Sequence, residues 1–230
     1  ALLQRLLSKS SRPCLIIGGG IRISKTTKEL KNLVNKLNIP ALSTWSGVDA
    51  LSHDNKNYIG CLGVYGSRSA NFVVQNSDLV ISLGSRLDTR ITGGDPKSFA
   101  RKAKVISVDV DPNELNKNRG LKIDLKINID LSNFFKEINK INNFKIKDIE
   151  KWNIKALQWK NKYPIVLQEY REQKNFVNPY VFMEKLSKLL KNDDILVADD
   201  GAHLTWAIQG LKIKENQRLF SAFGNSPMGY

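Results

Sequence analysis

LVISLGSRLDTRITGG, residues 79–94, reads as a short buried strand that stops at Gly84 and hands the chain to a glycine-bounded loop carrying Arg86, Asp88 and Arg90. An apolar run without alternation is what a strand covered on both faces requires, and such strands belong to parallel sheets. The pattern recurs on either side. Upstream, Cys14-Leu15-Ile16-Ile17 runs from Pro13 into Gly18-Gly19-Gly20, and Ala41-Leu42-Ser43-Thr44 forms a second short strand. Downstream, VISVDV (105–110) and KINID (126–130) continue the set. Helical patterns separate these runs. Leu30, Leu33, Val34 and Leu37 fall on one helical face ahead of Pro40, behind a Thr26-x-x-Glu29 pair with the spacing of a capping box. After a polar, glycine-containing loop to Gly66, Ala70, Phe72, Val73 and Val74 predict a helix to about Gln75. Phe134, Phe135, Ile138 and Ile141 predict another. The alternation over residues 1–145 predicts an α/β domain with a doubly wound parallel sheet, because parallel strands need crossovers and helices supply them.

In open sheets of this kind, ligands sit beyond the carboxyl ends of the strands. The residues expected there are Gly18–Gly20, Thr44-Trp45, Gly84-Ser85-Arg86 and Asp109. Three glycines let a backbone approach a phosphate closely, and a following helix start offers free N–H groups. A tight strand-to-helix turn without a ligand is the bland alternative. The spacing is not the G-x-G-x-x-G dinucleotide fingerprint: counting from Gly18, Ile23 stands where the last Gly is needed, and no acidic residue ends the second strand to hold a ribose. An ordinary NAD-binding domain is therefore disfavoured. Arg86 and Arg90 carry guanidinium groups suited to gripping a diphosphate in bidentate fashion, against the alternative of a surface salt-bridge loop.

Composition bounds the rest. The 230 residues are 41% hydrophobic and 25% charged, close to globular averages, which excludes collagen-like, coiled-coil and disordered classes. No apolar run reaches the roughly 18 residues of a membrane span. The opening ALLQRLLSKSSRP lacks the features of a signal peptide, so a soluble cytoplasmic protein without a membrane partner is expected. The net charge of +14, from 36 Lys and Arg against 22 Asp and Glu, would suit nucleic acid. It is scattered through segments such as INKINNFKIKDIEKWNIK (138–155) with no recognition motif beside them, so no nucleic-acid partner is expected. Cys14 and Cys61 are isolated, which suggests neither a disulfide framework nor a zinc site.

Residues 146–176 are basic and aromatic, with Trp152, Trp159, Tyr163 and Tyr170, and read as a helical connector to a second unit over 177–230. There Asn178-Pro179 supplies a cap and first helical position ahead of an apolar face of Val181, Phe182, Leu186, Leu189 and Leu190. The strand ILVAD (195–199) runs into Asp200-Gly201 and a helix with His203 and Trp206, and Arg218-Leu219-Phe220 starts another strand. A unit of about 55 residues buries too little surface to stand alone, so a truncated second α/β domain and a longer parent protein are expected.

GSRLDTRITGG (84–94) resembles the G-x-R-x-D-x-R-x-T-G signature in the central domain of acetolactate-synthase-like, thiamine-diphosphate-dependent enzymes. IIGGGI (16–21), IPALSTWSG (39–47), LGVYGSRSAN (62–71), NSDLVISLG (76–84), VISVDVDPNEL (105–115), DDGAHLTWA (199–207) and the terminal SPMGY follow in that family's order. The resemblance implies FAD in the central domain. Gly19 and Gly20 would lie against its backbone, and Thr44, Trp45, Gly63, Val64 and Tyr65 would line its pocket. Gly84, Ser85, Arg86 and Asp88 would meet the diphosphate and ribitol, with Asp109, Val110 and Asp130 at the adenosine end. It also implies that Gly201, Ala202 and His203 border the diphosphate of thiamine diphosphate, with Met228 supporting its rings. Each assignment has a structural alternative: Asp109 as a cap, His203 as a surface histidine. Three positions depart from acetolactate synthases: Ala202 stands for their usual Gln, Thr89 for Asp, and Ser226 for a Gly.

The reaction the resemblance implies is decarboxylation of a 2-oxo acid followed by attack on a second carbonyl, as in branched-chain amino acid biosynthesis, with FAD mainly structural. In the family, the active sites are shared across a homodimer or homotetramer. The catalytic Glu and the ligands of Mg2+ belong to regions outside these 230 residues, so no catalytic or metal-binding residue is assigned and no turnover is expected of this piece alone. A related 2-oxo acid decarboxylase or carboligase with another substrate is one alternative. A non-catalytic module for another adenine dinucleotide, as in deacetylase-like domains, is the other.

Overall fold

The computed structural model describes residues 2–141, 143–225, 227 and 229. Six parallel strands form the main sheet: β1 (Pro13–Ile17), β2 (Ala41–Ser43), β3 (Tyr58–Cys61), β4 (Leu79–Leu83), β5 (Lys104–Asp109) and β6 (Leu125–Asn128), in the order β3-β2-β1-β4-β5-β6. The chain fills one half of the sheet outward from β1, then returns to β1's other side with β4. That reversal makes the gap between the β1 and β4 ends the topological switch point. Pairing is in register over the whole β1–β4 contact, from Pro13 opposite Leu79 to Ile17 opposite Leu83.

Alternate residues feed two cores. Leu15, Ile17, Ile81 and Val108 face one side, covered by α1 (Leu2–Lys9), α3 (Thr27–Leu37) and α7 (Leu131–Asn139). Cys14, Ile16, Val80 and Val105 face the other, covered by α4 (Arg68–Asn76) and α8 (Ile149–Lys162). Both faces are sealed, which is why the strands carry no polar alternation. Trp152 on α8 packs in the second core, and its indole N–H donates to the Pro13 carbonyl at 2.8 Å. Burial raises the Cys14 and Cys61 thiols to about 12, so both behave as small apolar side chains.

Several local expectations change. The stretch read as loop to Gly66 contains β3, a four-residue strand too short to announce itself. The capping box does not form: the Thr26 hydroxyl contacts the Ser24 hydroxyl at 2.8 Å instead of capping, and α3 ends on Asn38 in the left-handed region. The connector breaks after α8 and resumes as the single turn α9 (Gln168–Arg171). Short helices α2 (Gly20–Ile23), α5 (Thr89–Thr92) and α6 (Pro112–Asn116) follow β1, β4 and β5.

Beyond these come α10 (Pro179–Leu189), β7 (Ile195–Val197), α11 (Ala202–Gly210) and β8 (Arg218–Phe220), with β7 and β8 paired in parallel as a separate sheet. Asn178 caps α10 as expected, accepting from the Tyr180 N–H at 3.0 Å. The apolar face differs: Phe182 and Leu189 are exposed, and Met183 and Leu186 pack inward. Leu204, Ala207 and Ile208 of α11 and Leu219 of β8 lie against Val48 and Cys61 of the main sheet's loop side.

A buried carboxylate and a half-buried imidazole fasten this contact. Asp49 is 3% exposed and accepts from Arg22 Nε at 3.2 Å, Arg218 Nε at 2.7 Å and the Leu219 N–H at 3.1 Å. It joins the turn after β1 to β8. His53 presents Nδ1 to the Leu211 carbonyl at 3.1 Å and Nε2 to the Val48 carbonyl at 2.9 Å, with its ring stacked on Tyr58 at 4.1 Å. Burial pushes the imidazole down to about 4, outweighing the two carbonyls that favour a proton.

Replacing Asp49 with Asn removes a charge that two guanidinium groups share, and both arginines keep some solvent access. A loss on the order of 2 kcal/mol is expected, read as a lower urea midpoint with unchanged slope. For His53 the folded value lies below the ordinary 6.5, so the unfolded chain takes up the proton first. Its stabilisation is complete above 6.5 and is lost as pH falls from 6.5 to about 4. The loss should be on the order of 3 kcal/mol and absent from the His53→Gln variant. An NMR titration placing His53 at or above 6.5 would contradict this.

Candidate functional site

The switch point opens into a cleft of about 1120 Å³. Its floor is the contact between the turn after β1 and the turn after β4. The Gly18 N–H donates to the Leu83 carbonyl at 2.9 Å and the Gly20 N–H to the Gly84 carbonyl at 3.0 Å. A Cβ at Gly18 would lie 2.0 Å from the Gly84 oxygen, and one at Gly84, where φ is +59°, would lie 2.8 Å from the Gly20 Cα. Two backbones touch here, and only residues without a side chain permit it. The glycines thus serve the turn-to-turn packing that the sequence offered as the bland alternative, and that packing forms the cleft floor.

Gly19, Gly20, Thr44, Trp45, Gly84, Ser85, Arg86, Asp88, Asp109, Val110 and Asp130 all line this one cleft. The N–H groups of Gly19, Ser85 and Arg86 donate to nothing among the described residues, which leaves donors at the floor for an anion. Arg86 is 68% exposed and anchored by Nε to Glu114 Oε1 at 3.1 Å, so its remaining N–H groups are held over the opening. Burial opposes ionisation of Glu114, but Lys117 and Arg86 together hold its carboxyl below the usual range.

The carboxylates of the cleft are largely engaged by the backbone. Asp88 caps α5, accepting from the Arg90 N–H at 2.9 Å. Asp109 Oδ1 accepts from the Asp111 N–H at 3.0 Å, one step ahead of the α6 cap that Asp111 supplies. Asp130 caps α7; hydrogen bonds from the Ser132 hydroxyl and N–H pull its carboxyl below the usual range. Each of these acids positions a turn and still presents a second oxygen, since a carboxylate has about four lone-pair sites.

Gly63, Val64 and Tyr65 are not on the cleft wall but back it. The Val64 N–H donates to the Arg90 carbonyl at 2.8 Å, and Asn71 clamps Gly63 by accepting from its N–H at 3.0 Å and donating to its carbonyl at 2.9 Å. Tyr65 meets the Trp45 ring at 5.6 Å, and Arg90 lies over Trp45 at 5.4 Å. Gly201, Ala202 and His203 stand apart from the cleft and exposed, the His203 ring folded over Gly201. They offer a surface rather than a pocket, so no chemical step is derived from them. Met228 lies outside the described residues. Among the described residues no three His, Cys, Asp or Glu side chains gather to hold a metal ion, and no helix is long and apolar enough to cross a membrane.

Sequence reasoning missed Glu114, Arg119, Phe223 and Gly224 on the cleft wall. Arg90 was visible in the loop but not assigned to the site. Glu114 and Arg119 sit in a polar segment without periodic signal, and Phe223 arrives from the far end of the chain, well past Leu131, so only tertiary packing reveals them.

The cleft fits FAD on the chemistry of its walls: unpaired floor N–H groups and Arg86 for a diphosphate, hydroxyls at Thr44 and Ser85, and an exposed Val110 face at the β5 end.

Residues 1–138 match the model of the thiamine pyrophosphate enzyme central domain. The acetolactate synthase large subunit of Cyanidium caldarium is 33% identical over 99% of this chain and 38% of its own length. That of Porphyra purpurea is 34% identical over 98% of this chain and 38% of its own, and a probable acetolactate synthase large subunit of Methanococcus aeolicus is 30% identical over 98% and 39%. The chain spans a little over a third of the length of these curated relatives. With its sheet order, its switch-point cleft and this match over more than half its length, the chain belongs to the thiamine pyrophosphate enzyme family, with that family's central domain at residues 1–138.

Proposed function

We propose that this chain is the FAD-holding part of a thiamine-diphosphate-dependent carboligase of the acetolactate synthase type, which condenses two 2-oxo acids with loss of carbon dioxide. The observation that carries the reading is the convergence of the β1, β2, β4 and β5 ends on one cleft whose floor donors are unpaired. The similarity to acetolactate synthase large subunits over nearly the whole chain supports the substrate class. A related decarboxylase with another 2-oxo acid is the nearest alternative, because Thr89 and Ala202 differ from the family's usual residues.

In this reading Arg86 and the N–H groups of Gly19 and Ser85 hold the diphosphate of FAD. The free oxygen of Asp109 accepts from the ribose, and Val110 covers the adenine. Arg90 and Trp45 close the opposite end, with Tyr65 packed behind them. Residues 1–145 form the cofactor domain, 146–176 the connector and 177–230 the beginning of the thiamine-diphosphate domain, where Gly201, Ala202, His203 and Met228 border that cofactor. The chemistry thiamine diphosphate supplies when bound is stabilisation of the negative charge left as a 2-oxo acid loses carbon dioxide. Mg2+ is held by residues outside this chain, and the active unit is a cytoplasmic homodimer or homotetramer.

The purified protein should be yellow, with flavin absorption bands at close to one equivalent. A colourless protein that takes up another adenine dinucleotide and rejects FAD would favour the module reading instead. Arg86→Ala should weaken FAD binding by about 10–100-fold, the range for one charge-assisted contact, without shifting the urea midpoint. Equal affinity in the variant, measured by quenching of flavin fluorescence, would remove the diphosphate from this end of the cleft.

A further inference from the structure

A second cavity of about 570 Å³ shares no residue with the flavin cleft. It lies against β3, at the edge of the main sheet, between the end of α8 and the α10–α11 pair. Its size falls within the range of small-molecule sites. Its lining includes the apolar Pro164, Ile165, Val166 and Ile208 together with Lys160 and Lys212.

Neither lysine of this cavity has a carboxylate within ion-pair distance among the described residues, although Asp54 acts on Lys160 and Glu184 on Lys212 from farther away. Arg171 and Glu184 neutralise each other through paired contacts, one of them Nη2 to Oε1 at 2.9 Å. His53 is neutral for the reason given above, and Asp54 sits exposed at the mouth. Lys160 is half-buried and donates one of its three protons to the Tyr58 carbonyl at 2.6 Å. Its ammonium is pushed below the ordinary lysine range, by burial first and then by the charge of Lys212. Lys212 Nζ has no hydrogen-bond or ion-pair partner among the described residues. Two mutually repelling ammonium groups therefore line one space with donors to spare, together with apolar side chains.

We infer that this cavity binds a small organic carboxylate, its charged end between Lys160 and Lys212 and its hydrocarbon body against Pro164–Val166 and Ile208. A carboxylate satisfies spare donors on both lysines and offsets their repulsion, while a branched chain of a few carbons covers the apolar lining. The site is independent of the flavin assignment and does not use its residues.

The test is isothermal titration of the full-length protein with 3-methylbutanoate, with inorganic phosphate as an anion lacking a hydrocarbon body. One saturable site for 3-methylbutanoate is expected, weakened about tenfold by Lys212→Ala and more by Lys160→Met, with phosphate binding at least tenfold weaker than the carboxylate. Lys160 also braces Tyr58, so Lys212→Ala, an exposed position, keeps the test meaningful if the first variant folds poorly. Ile165→Asn should weaken the carboxylate and leave phosphate unchanged. Absence of saturable binding, unchanged affinity in Lys212→Ala, or phosphate binding as tightly as 3-methylbutanoate would each overturn the inference.

Discussion

The contact on which the rest of the molecule depends is backbone against backbone: the turn leaving β1 lies on the turn leaving β4, with Gly18 and Gly20 touching Gly84. Any side chain at these points would force the two turns apart, and with them the strand ends that they terminate. Close approach does two things at once. It completes the central β1–β4 pairing to its last residue, and it leaves a floor from which unpaired N–H groups and Arg86 project. Packing and binding are not competing explanations of these glycines, because the packing is what forms the surface.

Electrostatics in the cleft follows from the same geometry. Strands that end together are followed by helices that start together, and each helix start wants an acceptor. Asp88, Asp111 and Asp130 supply them for α5, α6 and α7, which explains a cleft with more carboxylates than an anion site would choose. Their charge is offset by the N–H groups they hold, and Glu114 is offset by Lys117 and Arg86. With five carboxylates against three arginines on its lining, the cleft can receive an anion only through a few oriented donors, not through the chain's overall +14 charge.

The second unit is fastened to the first by polar groups on an apolar bed. Leu204, Ala207 and Ile208 supply area, while Asp49 and His53 decide where the surfaces meet. Gln209 adds a link to the cleft's rim: its amide donates to the Tyr65 carbonyl and accepts from the Tyr180 hydroxyl at 2.7 Å. The helix that starts beside His203 is thus braced at its far end on the loop behind Trp45 and Arg90. Hydrophobic contact is tolerant of sliding, whereas buried hydrogen bonds to a carboxylate or an imidazole fix one register.

Much of this was legible in the residues alone. Apolar runs covered on both faces announced parallel strands, and their glycine-rich ends marked the side on which the cleft opens. This worked because strand burial and crossover helices leave local, periodic signals; β3 escaped because four residues carry too little signal, and the capping box expected at α3 failed because the Thr26 hydroxyl contacts Ser24 instead. The tertiary structure alone decided that Gly18 meets Gly84, that Asp49 joins Arg22 to Arg218, and that Arg119 and Phe223 reach the cleft. It also decided that Lys160 and Lys212 share a cavity. These pairings bring together residues far apart along the chain, and their energy depends on distance and solvent exclusion, neither of which is written in local sequence.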